Sequence, residues 1–114
     1  MEKNILKNIP HEEITALKDL VTIQTGQIVS KTLAQNNAVS LTVFAFDKDE
    51  EISTHDSSGD AMVTILEGTG VFTVDGKEYI LNQGETLVMP AKKPHSVFAQ
   101  EAFKMLLVVV FPQK

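Results

Sequence analysis

The residues of this chain that are best able to do chemistry are its three histidines, His11, His55 and His95. An imidazole can coordinate a divalent metal, form hydrogen bonds, or transfer a proton near neutral pH. The chain has no cysteine, which excludes thiolate metal sites and disulfides. No recognisable spacing of serine, histidine and aspartate indicates a nucleophilic triad, and no glycine-rich loop opens a helix as phosphate binding requires. The chemistry therefore depends on where the fold places the histidines.

The composition indicates a folded domain with an acidic surface. Of 114 residues, 43% are hydrophobic and 22% are charged, and the formal net charge is −5 at pH 7. All the basic residues are lysines, and an acidic chain without arginine is not expected to bind nucleic acid. The longest apolar run, Met105–Phe111, is too short to cross a bilayer, and residues 1–4 lack the features of a signal peptide. We expect a single cytoplasmic domain over residues 1–114, with no membrane contact.

The elements that position the histidines are predicted to be mostly strands. Residues 10–13 contain a proline and acidic residues, and apolar residues follow at helical spacing. This pattern predicts a short helix near residues 10–18. From residue 27 onward, alternating segments between turn compositions predict roughly nine short strands, as in a sandwich or barrel. Asp75–Gly76 lies between two such segments and predicts a tight hairpin. The charged stretch Asp47–Glu51 is expected to be a solvated connection between strands.

Two short motifs contain the candidate histidines. The first runs from His55 to Glu67–Gly68, and the second is Gly84, five residues, Pro90 and then His95. In order and spacing they resemble the two motifs of the cupin superfamily, in particular the small single-domain bacterial cupins of the RmlC-like conserved barrel type. The resemblance implies an all-β, double-stranded β-helix (jelly-roll) barrel over about residues 21–112. It also implies an N-terminal extension with a short helix over about residues 1–20.

The resemblance also bears on metal binding, because many cupins hold a divalent metal with three histidines and a glutamate inside the barrel. His55 and His95 stand at two of these positions, whereas Ser57 and Ala61 replace the second histidine and the glutamate. Ala99 replaces the asparagine of the second motif. The resemblance therefore implies a ligand pocket centred on His55, His95 and Ser57. His55 and His95 are the candidate ligands of one divalent metal ion, for which no third ligand is identified.

Three functions stay open at this point. The barrel could hold a small organic ligand as a binding or sensing protein. It could be a metal-dependent enzyme, of oxygenase or isomerase type, acting on a small metabolite. It could be a metal-free isomerase or epimerase with His55 or His95 as general base. His11 lies outside both motifs and is expected on the surface. The sequence names neither the ligand nor a reaction.

The last strand raises the question of a partner. The run Met105–Phe111 is apolar on both faces, as in a strand that is covered on both sides. One face looks into the barrel, so the N-terminal helix, another sheet or a second subunit must cover the other. Small cupins pair back to back, and we therefore expect a symmetric homodimer.

Overall fold

The computed structural model describes residues 5–113, which form nine β-strands after one turn of 3₁₀ helix. The elements are the 3₁₀ helix Leu17–Leu20 and the strands β1 Ile28–Gln35, β2 Val39–Phe46, β3 Glu51–His55, β4 Asp60–Glu67, β5 Thr69–Val74, β6 Lys77–Asn82, β7 Thr86–Met89, β8 His95–Phe98 and β9 Phe103–Val110. Within residues 5–113, no helix has the length and apolar character needed to span a membrane.

The strands form two antiparallel sheets with a shared core between them. The five-stranded sheet has the order β1-β2-β9-β4-β7, and the four-stranded sheet has the order β3-β8-β5-β6. Most neighbours in each sheet are distant in the chain, as β9 shows by pairing with both β2 and β4. This winding is that of a jelly roll, and the all-β barrel expected from the sequence is confirmed.

Buried aromatic rings hold the two sheets together. The rings of Phe46 and Phe103 are stacked with centroids 4.7 Å apart, and Phe72 meets Phe103 edge-on at 6.2 Å. All three side chains are fully buried. Phe46 and Phe103 belong to the five-stranded sheet and Phe72 to the four-stranded sheet, so these contacts join the two sheets.

The N-terminal segment is not the predicted helix. The expectation of a helix near residues 10–18 is wrong except at its end, because only Leu17–Leu20 is helical, as one 3₁₀ turn. Glu12 has a φ of 57°, in the left-handed region that a right-handed helix cannot contain. The segment is instead fastened along β1, where the Lys7 N–H donates to the Leu33 carbonyl at 2.8 Å. Its apolar residues cover a sheet, and this packing overrides a weak local helix signal.

The turns follow the local sequence closely. Asp75 and Gly76 have φ of 51° and 83°, and Val74 pairs directly with Lys77. Two positive φ values in a two-residue loop define a type I′ hairpin, as the sequence predicted. The charged stretch from Asp47 is a turn, but its last residue, Glu51, already begins β3.

Candidate functional site

Two imidazoles meet where β3 ends and β8 begins. The strands are antiparallel neighbours, and His55 lies directly opposite His95 in the register. The ring centroids are 4.4 Å apart, and the ring planes meet edge-on at 65°. His95 is buried with 5% of its surface exposed, whereas His55 is exposed. The fold therefore places the two motif histidines side by side, with one of them inside the barrel and the other towards its mouth.

Each imidazole is oriented by the backbone carbonyl of the residue two positions before it in the chain. His55 Nδ1 lies 2.9 Å from the Ser53 carbonyl oxygen, and His95 Nδ1 lies 3.1 Å from that of Lys93. A carbonyl oxygen can only accept, so each Nδ1 carries a proton and donates it. A neutral ring protonated at Nδ1 has its lone pair on Nε2. The pair therefore offers two Nε2 acceptors.

The Nε2 atom of His95 is accessible although the residue is buried. It forms no hydrogen bond with any residue in the range 5–113. Among the same residues, no fully buried side-chain nitrogen or oxygen is left without a hydrogen-bond partner. His95 Nε2 must therefore face open space, where a ligand or water can reach it.

That open space is a cavity of about 280 Å³ between the two sheets. Its walls are mostly aliphatic, with a polar corner formed by the histidines and the loop after β3. The lining residues are Ile52, His55, Asp56, Ser57, Ala61, Met89, His95, Val97, Met105, Leu107 and Val109. Apolar walls with a few convergent polar groups are typical of small-molecule sites.

The predicted pocket residues and several unpredicted ones share this cavity. His55, His95 and Ser57 all line it, and the Ser57 hydroxyl also accepts from the Gly59 N–H at 3.1 Å. The sequence reading missed the aliphatic walls, of which β9 supplies every second residue from Met105 to Val109. This alternation is visible in the sequence, but it does not distinguish cavity wall from packed core.

The donors around the cavity do not fit a resident metal ion. First-row metals in catalytic sites usually have at least three protein ligands. Ala61 lines the cavity where the family's glutamate is expected, and its methyl group cannot coordinate a metal. Asp60 precedes Ala61 in the chain, but its Oδ1 accepts from the Ala91 N–H at 2.8 Å. Asp56 also lines the cavity, next to His55 in the chain. Between residues 5 and 113, no group of three or more histidine, aspartate or glutamate side chains could hold a metal.

A second cavity, of about 370 Å³, opens between β6 and β7, each of which is an edge strand of its sheet. Although it is larger, its charged groups already have partners. Lys93 Nζ lies 3.3 Å from Asp75 Oδ2, and Lys77 Nζ stands 5.2 Å from the centre of the Tyr79 ring. Lys93 and Asp75 neutralise each other, and Lys77 is held over an aromatic ring, so the histidine cavity is the better candidate site. The third histidine, His11, is exposed and lines neither cavity.

Comparison with known families shows which family the chain belongs to, because residues 42–111 match the family model described as Cupin domain. The chain belongs to the cupin family. A conserved protein of unknown function from Streptococcus pyogenes is 46% identical with a TM-score of 0.95, over 98% of both chains. A cupin superfamily protein from Desulfitobacterium hafniense is 33% identical with a TM-score of 0.90, over 94% of this chain and 98% of its own.

A third solved structure, a cupin 2 conserved barrel domain protein from Leptotrichia buccalis, is 44% identical with a TM-score of 0.80. The match covers 82% of this chain and 45% of that one. No curated protein matches this cupin. The resemblance read from the two motifs is thus confirmed, while the ligand has to be inferred from the cavity itself.

Proposed function

We propose that this cupin binds a small, neutral organic molecule in the cavity beside His55 and His95, without a resident metal. The observation that carries the proposal is the pair of Nδ1 hydrogen bonds to backbone carbonyls, at 2.9 Å and 3.1 Å. These bonds commit both neutral rings to the same tautomer and leave two Nε2 acceptors at one end of an apolar cavity. A ligand with a hydroxyl, amide or amine donor would satisfy them.

The size of the cavity limits the ligand. An engineered protein cavity of about 150 Å³ holds one benzene molecule. The cavity here, at about 280 Å³, has nearly twice that volume. By this scale the ligand has about a dozen non-hydrogen atoms, such as a substituted ring or a branched aliphatic metabolite.

The charge of the lining limits the ligand further. Among residues 5–113, no lysine lines the cavity, and the chain has no arginine. Of the residues that the structure describes, Asp56 is the one formally charged residue in the lining, and it is acidic. A ligand carboxylate or phosphate would enter without a cationic partner and would lose its hydration, which is costly. The ligand class is therefore a neutral molecule with a hydrogen-bond donor on an apolar body.

A matched pair of probes tests this inference. Benzyl alcohol and benzoate have almost the same shape, but only the alcohol has a donor and no charge. Titration calorimetry is expected to show binding of benzyl alcohol and at least about tenfold weaker binding of benzoate, which corresponds to about 1.4 kcal/mol. Equal or tighter binding of benzoate would overturn the inferred ligand class.

Substitution of the histidines tests which groups carry the binding. In His95→Leu, the hydrogen-bond donor group of the ligand loses its acceptor, His95 Nε2, while the cavity stays apolar. We expect about a five- to tenfold loss of affinity for benzyl alcohol, since one hydrogen bond contributes about 1 kcal/mol. His11→Leu is the matched control, because His11 lies outside the cavity, and its affinity should equal that of the wild type. Unchanged affinity in both His95→Leu and His55→Leu would remove the basis of the proposal.

A metal-dependent enzyme is the second candidate, and one observation favours it. Metal-ligating histidines usually donate their other ring N–H to a carbonyl or carboxylate, as both imidazoles do here. Elemental analysis of protein purified without a histidine tag separates the two candidates. Less than about a tenth of an equivalent of iron, nickel, zinc or manganese supports the metal-free proposal. A nearly stoichiometric metal that is lost in His95→Ala and kept in His11→Ala would replace it.

The third function, a metal-free isomerase with a histidine base, gains no support from the site. Such a base is usually oriented and tuned by a carboxylate. Both Nδ1 atoms are bonded to backbone carbonyls instead.

A further inference from the structure

A lysine faces the interior at the open edge of the four-stranded sheet. Lys77 pairs directly with Val74, and Tyr79 pairs directly with Phe72. Directly opposed residues project from the same face of a sheet, and Val74 and Phe72 both belong to the buried core. Lys77 and Tyr79 therefore project from the inner face of β6, where an alternating strand normally carries apolar residues.

Both side chains line the cavity of about 370 Å³ between β6 and β7. Val74 and Leu87, which belong to the core or pack against it, supply apolar walls. Among residues 5–113, this cavity and the histidine cavity have no lining residue in common. The gap between the sheet edges thus combines apolar walls with two polar side chains of its own.

The polar groups of Lys77 and Tyr79 are available to a ligand. Lys77 Nζ lies 5.2 Å from the centre of the Tyr79 ring, and this contact does not neutralise its charge. Neither Lys77 Nζ nor the Tyr79 hydroxyl forms a hydrogen bond with any residue in the range 5–113. Lys77 is exposed, and no fully buried side-chain oxygen in this range lacks a partner, so the Tyr79 hydroxyl must also face open space.

The charges of the lining favour a ligand with a single negative charge. Lys93 Nζ lies 3.3 Å from Asp75 Oδ2, so these two side chains neutralise each other. In the described part of the lining, Lys77 is then the one charged residue without a partner of opposite sign. A phosphate ester would have a second negative charge beside Asp75, in a chain with a net charge of −5. A carboxylate matches Lys77 in charge and accepts hydrogen bonds from both an ammonium group and a hydroxyl.

We propose that this cavity is a second ligand site, which binds a small organic monocarboxylate. The carboxylate accepts hydrogen bonds from Lys77 Nζ and the Tyr79 hydroxyl, and the apolar body of the ligand lies against Val74 and Leu87. The site selects the opposite charge class from the histidine cavity, which offers two hydrogen-bond acceptors to a neutral donor. The two sites use different residues, so either proposal can fail without the other.

Benzoate is the probe, and the backbone amide signals in ¹H–¹⁵N spectra locate its binding. We expect benzoate to shift the amides of Lys77 and Tyr79 with a Kd of about 1 mM, because water screens the charge of an exposed lysine. Lys77→Met keeps the apolar stem without the charge and should weaken benzoate binding at least about fivefold. Tyr79→Phe removes only the hydroxyl and should weaken it about two- to fivefold. Lys48→Met is the matched control, because Lys48 is an exposed lysine outside both cavities, and its benzoate affinity should equal that of the wild type.

The two sites should respond in opposite ways to substitution. Lys77→Met is expected to bind benzyl alcohol as the wild type does, so in this variant the calorimetric comparison of benzyl alcohol with benzoate reports on the histidine cavity alone. His95→Leu is expected to lose affinity for benzyl alcohol and to keep its affinity for benzoate.

Three results would overturn the proposal. The first is a set of benzoate shifts confined to the residues of the histidine cavity. The second is equal benzoate affinity in Lys77→Met and the wild type, and the third is tighter binding of phenyl phosphate than of benzoate. An inward lysine on an edge strand can also keep a further strand from pairing. Aggregation of Lys77→Met together with no benzoate binding by the wild type would assign that role to Lys77 instead, and Lys77→Gln, which stays polar, replaces Lys77→Met if the latter aggregates.

Discussion

Among residues 5–113, no carboxylate forms a three-ligand metal group with the two histidines, although Asp56 lines the same cavity, and a single substitution can supply one. Ala61 is 2% exposed, and its side chain lines the cavity together with His55 and His95. Ala61→Glu should therefore add a carboxylate to the two Nε2 lone pairs. We expect this variant to gain zinc or nickel binding, because three imidazole and carboxylate ligands with an open position suit such metals.

Two contributions set the expected change in Tm: the cost of burying the glutamate side chain, and the stabilisation of the folded state by bound metal. Without metal, the buried glutamate avoids the larger cost of a charge by taking up a proton, and a neutral carboxyl group with no hydrogen-bond partner costs about 1–3 kcal/mol. At about 4 °C per kcal/mol for a domain of this size, the Tm should fall by about 4–12 °C. A metal at one hundred times its Kd adds about 2.7 kcal/mol to the free energy of unfolding, which should raise the Tm by about 10 °C.

Scanning calorimetry with and without zinc measures both changes, and Ala61→Gln is the control. Glutamine has nearly the shape of glutamate but lacks its negative charge, so this variant should lose stability without recovering it when zinc is added. A Tm of Ala61→Glu that does not respond to zinc, or that responds as Ala61→Gln does, would contradict the reasoning. Position 61 and the two imidazoles would then not face one common site.

Two glycines give further predictions, both read from urea unfolding. In Gly70→Ala the new Cβ would lie 2.8 Å from a ring carbon of Phe72 and 2.9 Å from one of Phe103, and this overpacking should cost about 1–3 kcal/mol. An unchanged urea midpoint would contradict it. Gly76 has a φ of 83° and open space around it, so Gly76→Ala should cost about 1–2 kcal/mol through backbone conformation alone. Gly76→Asn should recover most of that loss, since asparagine tolerates this region, and equal losses in the two variants would argue against the explanation.

Local chemistry explains what the sequence predicted correctly. The turn at Asp75–Gly76 needs two positive φ values, and these two residue types reach them at little cost. The spacing from Gly84 to Pro90 and His95 carries the family resemblance, and the comparisons confirm it. Residues with distinctive backbone preferences, such as glycine and proline, can therefore be placed from the sequence before any packing is known.

The errors come from elements that tertiary contacts decide. The sequence reading did not assign β3, because Glu51–His55 is polar and mostly exposed, and it is a strand only through its pairing with β8. The segment near residues 10–18 has helical spacing, yet it packs as an irregular cover on the outside of a sheet. Intrinsic propensity is a weak guide for such short elements.

The candidate site was predictable in its polar part only. Family motifs place His55 and His95, but the tautomers depend on the Ser53 and Lys93 carbonyls. Which apolar residues line the cavity depends on the distance between the two sheets. That distance cannot be predicted from the residue types, so the ligand class could be inferred only from the structure.

The most direct test of the central claim is a long-range ¹H–¹⁵N spectrum of the histidine side chains, recorded at about pH 8.5 with and without benzyl alcohol. For His55 and His95 we expect proton-bearing Nδ1 atoms and unprotonated Nε2 atoms, and only these two Nε2 signals should move when the alcohol is added. His11 provides the internal reference. Nε2-protonated rings at both positions, or Nε2 signals that move no more than those of His11, would contradict the account.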